Sequence, residues 1–174
     1  SGTAAPLPAL DPTAPTDALG LASGVVRVVP WDARWPALFA AESARLARVL
    51  TAHGVTLARE HTGSTAVPGL AAKPILDVLA GLADERDRPA AIAALVAAGY
   101  VHRGESGIPG RDFFRRGEPR AWHVHLAPVG SDFWRDHRDF RDRLRADPAT
   151  AAAYAALKRA LAARYPRDRE AYIE

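Results

Sequence analysis

The nine residues PILDVLAGL, 74–82, constrain the fold more than any other stretch. The run is almost wholly apolar and has the length of one strand, so it reads as a strand buried inside a sheet. One carboxylate, Asp77, stands in it between Leu76 and Val78. An isolated buried charge is expensive, so a strand that keeps one must supply a partner or a use for it.

Around this strand the chain alternates between two periods. VVRVV, 25–29, reads as a short strand. Asp32 is placed to cap a helix whose apolar stripe runs Trp35, Leu38, Phe39, Leu46, Val49 and Leu50, with Gly54 at its end. VTLAREH reads as a strand and is followed by the turn-rich TGSTAVPG. Pro89 and Gly99 frame the helical stretch AAIAALVAA. YVHRG and DFFRR read as strands around a glycine-rich loop, and AWHVHLAPV alternates as a further strand. Ser131 and the Asp147-Pro148 pair open two final helices. Helices and strands interleave, which gives an α+β (α/β-like) class, a mixed β-sheet flanked by helices. Residues 1–24 are rich in Ala, Pro, Thr and Gly without periodicity and read as a flexible N-terminal arm; residues 25–174 read as the folded domain.

Composition narrows the function classes. The chain has 174 residues, enough for one domain with a real core. No apolar run approaches the ~20 residues of a membrane span, and no charged-then-apolar leader is visible. There is no Cys, so disulfides and thiolate metal sites are excluded and cytoplasmic residence is the expectation. A net charge of +3 permits an anionic partner. Nucleic acid is not the expected one, because exposed aromatics do not interleave with the basic residues. Among the 23 basic residues only Lys73 and Lys158 are lysine. Against so strong a preference for Arg, a lysine marks a place where a compact ammonium has a use.

The stretch EHTGSTAVPGLAAKPILDV joins these features. A Gly-Ser turn after a strand can aim N–H groups and a hydroxyl at a phosphate. A carboxylate on the next strand can hold Mg²⁺ or another divalent cation beside it. Gly63, Ser64 and Thr65 form the turn, Asp77 supplies the acid and Lys73 lies between them. His123 and His125 in AWHVHL are two residues apart and therefore share a sheet face, with Trp122, Val124 and Leu126 on the other.

The same stretch, with VVRVVPWDARWPALFAAE, AGY, HVHL and DFRDRLRADPATAAAYAALKRALA, resembles the GrpB family, a branch similar to nucleotidyltransferases. The resemblance implies a nucleotidyltransferase-like fold over residues 25 onward. Members of that superfamily carry a second acid two residues after the first, and a third on a later strand. Here Leu79 takes the second position, and the later strand offers His123 and His125.

Two functions are therefore expected. The first is a transferase moving a nucleoside monophosphate from an NTP to a small acceptor. Gly63, Ser64, Thr65 and Lys73 would hold the nucleotide, with Asp77, His123 and His125 as catalytic and metal-holding residues. The alternative is a binding module for a nucleotide or other phosphorylated small molecule. Asp77 is expected at the exit of its strand. Glu60 is a further available acid, and His61 either orients the loop or touches ligand. Arg111, Arg115 and Arg116 read as a wet edge strand, and WRDHRDFRDRLR reads as a solvated helix pairing its own charges.

Overall fold

The computed structural model of the protein describes residues 19–22, 25 and 27–165. Five strands form one sheet: β1 (Ala58–Thr62), β2 (Leu76–Leu82), β3 (Val101–His102), β4 (Asp112–Arg116) and β5 (Trp122–Pro128). Their order is β1-β2-β5-β4-β3, with β2 and β5 parallel and the other neighbours antiparallel. Four helices accompany them: α1 (Trp35–Ala52), α2 (Arg88–Ala97), α3 (Asp132–Ala146) and α4 (Pro148–Arg164). The mixed α+β class follows from this order.

Strand alternation divides the sheet into two chemically different faces. Leu76, Val78, Ala80 and Leu82 of β2, Trp122, Val124 and Leu126 of β5, and Phe114 of β4 enter one core cluster. It is closed from outside by Leu38, Leu46 and Leu50 of α1 and by Ala91, Ala94 and Leu95 of α2. The opposite face carries Asp77, Leu79 and Gly81 beside His123 and His125. Helix α3 covers only part of it. A Cβ at Gly81 would meet Trp134 of α3 at 2.7 Å, so the glycine is what lets the indole lie on the sheet. The strand starts, where Asp77 lies, stay open.

Several sequence expectations change here. Val26 of VVRVV lies outside the described residues; among the others only Val29 pairs, with Ala72, through two backbone hydrogen bonds, and no strand is formed there. The N-cap of α1 is Arg34, and Asp32 accepts the Arg34 N–H two residues on. β4 is not an edge, because β3 and β5 flank it. Of the expected arm, residues 1–18, 23 and 24 lie outside the described residues. Leu19 and Leu21 are buried, with Gly20 N–H bonded to Pro74 O and Leu21 N–H to Arg120 O. This stretch therefore belongs to the packed structure. Leu21→Ala should cost about 2–3 kcal/mol as a large-to-small core change, a fall of roughly 4–10 °C in melting temperature for a domain of this size. A shift under about 1 °C in a thermal melt would return the segment to the free arm.

Candidate functional site

Strand β1 ends at Thr62, which pairs with Asp77 near the start of β2. Asp77 thus stands at the entry of its strand, not its exit. The chain between them turns through Gly63 at φ +74° and a single 3-10 turn, Ser64–Ala66. A Cβ on Gly63 would lie 2.6 Å from Asp77 Oδ2. Positive φ and this close approach to the carboxylate both require glycine there.

A cavity of about 450 Å³ opens at this point, lined by Ser64, Thr65, Lys73, Asp77, His123 and His125. The turn, the loop and the two strands predicted to contribute therefore meet in one place. Gly63 backs the carboxylate from behind. Two further cationic side chains line the cavity that the sequence does not place there, Arg111 and Lys158. Arg111, read as an edge residue, is buried and donates to Glu105 O and to His125. Lys158 of α4 is buried and donates to Ser64 Oγ at 2.6 Å. Both lysines of the chain thus line one cavity, 85 positions apart in sequence.

Asp77 organises the two imidazoles. Its Oδ1 lies 3.0 Å from His125 Nε2 and 3.5 Å from His123 Nδ1. Burial pushes the Asp77 carboxyl up, but hydrogen bonds from His123 and His125 outweigh it and hold the group well below the usual carboxylate range. Burial pushes His123 down more than Asp77 raises it. Burial and Lys73 together bring Lys158 down to about 8.

The other candidates play structural parts. His61 stacks on Phe39 of α1 and shares a 2.8 Å hydrogen bond with Thr65 Oγ1, so it orients the turn. Glu60 holds Arg138 and Arg141 of α3. Arg141 is buried, and Arg145 donates to Ala66 O. Arg138, Arg141 and Arg145 therefore fasten α3 to β1 and the turn, which corrects the reading of a solvated face, while Arg135 pairs with Asp132 and Arg141 with Asp142 within the helix as expected. Arg116 reaches the core to pair with Glu42.

Asp77, His123 and His125 place one ligand atom each within 4.8 Å of one another, which makes them the candidate metal set. The hydrogen bonds of His125 oppose that use. Arg111 Nη1 donates to its Nδ1 at 3.2 Å, and a guanidinium can only donate. The Nε2 facing Asp77 must then carry the proton and has no lone pair for a metal. Metal-bound histidines show the reverse polarity, with the far nitrogen donating to an oxygen. Two lysines and a guanidinium beside the set add repulsion. As arranged, these residues do not fit a three-ligand divalent centre.

Fold and cavity together define a small α+β protein with a cationic pocket on the open face of a mixed sheet. The chain belongs to the GrpB family: the family profile described as GrpB protein matches residues 25–174. A UPF0157 protein of Pseudomonas aeruginosa is 42% identical over 152 residues, covering 84% of this chain and 61% of that protein. The chain thus spans about three fifths of that relative. The crystal structure of conserved protein GrpB from Enterococcus faecalis superposes with a TM-score of 0.75 at 32% identity, covering 84% of this chain and 89% of the other. A protein of Mycolicibacterium paratuberculosis named dephospho-CoA kinase is 30% identical over 181 residues, covering 88% of this chain and 44% of that protein.

Proposed function

We propose that the cavity binds the phosphate groups of a nucleotide or another phosphorylated small molecule. One observation carries this reading: the only two lysines of the chain meet Arg111 and the Ser64 hydroxyl in a single pocket that holds one carboxylate. Charge-assisted donors of this kind are what phosphate oxygens require. The volume suits a small ligand. The relative named for dephospho-CoA phosphorylation agrees with a phosphorylated ligand, and the present chain matches less than half of it.

A second reading is transfer of a nucleoside monophosphate from an NTP to a small acceptor, on a nucleotidyltransferase-like fold. The Gly63-Ser64 turn beside the Asp77 strand favours it. In-line displacement at phosphorus needs positioning and charge neutralisation above all. Lys73, Lys158 and Arg111 are the residues available to neutralise charge.

Calorimetry with inorganic pyrophosphate and with NTPs, each with and without Mg²⁺, tests both. Pyrophosphate should bind without metal. Lys73→Ala should weaken it about ten- to hundredfold, the loss of one hydrogen bond from a charged group, with the melting temperature retained. Unchanged affinity in Lys73→Ala would remove Lys73 from the site. Binding by no anion at all would remove the reading.

A further inference from the structure

Phosphate binding leaves the Ser64–Lys158 contact unexplained. A lysine that only attracts phosphate should point its ammonium into the cavity. Lys158 instead spends a 2.6 Å hydrogen bond on a serine hydroxyl, and no ion pair accompanies it among the described residues. The groups that face its Nζ are Lys73 before β2, Asp77 on β2 and the Tyr154 ring of its own helix, 5.2 Å away. Arg111, His123 and His125 line the same cavity. Ser64 is half-buried and opens on two sides. It lines the cationic cavity and also a neighbouring one of about 570 Å³ beside Asp136, His137, Asp139, Arg143 and Tyr154. A serine that lines two cavities, with its hydroxyl held by a buried amine, has the geometry of a nucleophile paired with its base.

We propose that Ser64 is a nucleophile activated by Lys158, and that its substrates are phosphoanhydrides. The proposal rests on the phosphate-binding reading above. Burial and the charge of Lys73 leave part of Lys158 neutral near pH 8, and in that form the hydrogen bond reverses, with Oγ–H donating to Nζ. Oγ then attacks the phosphorus of the bound anhydride. The Oγ–P bond forms as the bridging P–O bond breaks. The hydroxyl proton passes to Lys158, and the leaving phosphate departs with the bonding electron pair. Lys73 and Arg111 offset the charge it carries. Water then attacks the same phosphorus, Oγ leaves with its electron pair, and Lys158 returns a proton to Oγ and accepts one from the water. It finally releases that proton to the departing phosphate or to solvent, which restores the neutral amine.

The test uses the whole chain and a fluorophosphonate probe, read by intact-protein mass spectrometry and peptide mapping, with pyrophosphate calorimetry in parallel. One adduct should form on Ser64 with loss of fluoride, at a rate that climbs from pH 7 to pH 9. Ser64→Ala should give no adduct, while its pyrophosphate affinity falls by about tenfold or less, the loss of one neutral hydrogen bond. Lys158→Gln should slow labelling at least a hundredfold. Should that variant fail to fold, Lys158→Arg keeps a cation of similar reach that cannot accept the proton, and it should slow labelling equally. Absence of an adduct on Ser64, or the wild-type rate in a folded Lys158 variant, overturns the proposal. Labelling of Ser64 in a protein that binds no pyrophosphate would uphold the nucleophile and discard the phosphate reading, so the two fail separately.

Discussion

Glu42→Ala should lower stability by about 3–5 kcal/mol, the usual consequence of removing one member of a buried ionic cluster. Glu42 is wholly buried in α1. Its carboxylate takes Arg45 at 2.6 Å and Arg116 at 2.7 Å, and it accepts the Tyr100 hydroxyl at 3.1 Å. The acid therefore ties α1 to the chain after α2 and to the end of β4. Burial and the neighbouring Glu42 charge push the Tyr100 hydroxyl up, so it stays a donor at any ordinary pH. Without the carboxylate, two guanidiniums face each other at the edge of the core with no anion between them. The loss should appear as a fall in the urea midpoint with an unchanged slope. A loss below about 1 kcal/mol would mean that water takes over the role of the carboxylate.

Glu42 also illustrates what the sequence made legible and what it hid. The elements that pack by local pattern were readable: β2, β4, β5 and all four helices lie within a few residues of their expected bounds. The shared face of His123 and His125 follows from period 2 alone. Glu42 sits on the apolar stripe between Leu38 and Leu46. An acid in that position carries the same signal as Asp77, but helical spacing separates it from its apolar neighbours in sequence, where a strand sets them side by side. VVRVV misled because β-branched residues state a preference and not a partner. Among its described residues, Val29 meets Ala72 at a single bridge and none joins a strand of the sheet. Within the site, the turn and the carboxylate were legible because they are contiguous. Lys158 was not, because its 94-residue separation from Ser64 leaves no local pattern. Its rarity as a lysine was the one available signal. Arg111 was misplaced because its burial comes from Glu105 O in the loop before it and from His125 on β5, contacts that no local strand pattern states.

Asp77→Asn should separate a cation-binding site from an anion-binding one. Asp77 is the one acid lining the cavity, facing Lys73, Lys158 and Arg111. Two unit charges about 6 Å apart interact by roughly 3 kcal/mol at an effective dielectric near 20. A quarter of the Asp77 side chain is open to the cavity, so solvent reduces that figure to about 1–2 kcal/mol. Removing the negative charge should therefore tighten pyrophosphate binding about tenfold. It should also cost about 1–3 kcal/mol of stability at pH 7, because His125 loses a charged acceptor. The pH dependence has a definite sign. The carboxyl is depressed in the folded state, so its contribution is complete above its ordinary value near 3.8 and is lost as pH falls below it. Asp77 also favours protonated His123, so the stability difference between wild type and Asp77→Asn should grow as pH falls from 7 towards 5 and narrow below about 4. A divalent centre predicts the opposite pattern. Anion binding would then need Mg²⁺ or Mn²⁺ in the wild type, Arg111 would have to release His125, and Asp77→Asn would abolish both metal dependence and any NTP consumption. Calorimetry on the two proteins, with and without metal, decides between them: tighter metal-free binding in the variant supports the cationic pocket, and loss of all binding sinks it.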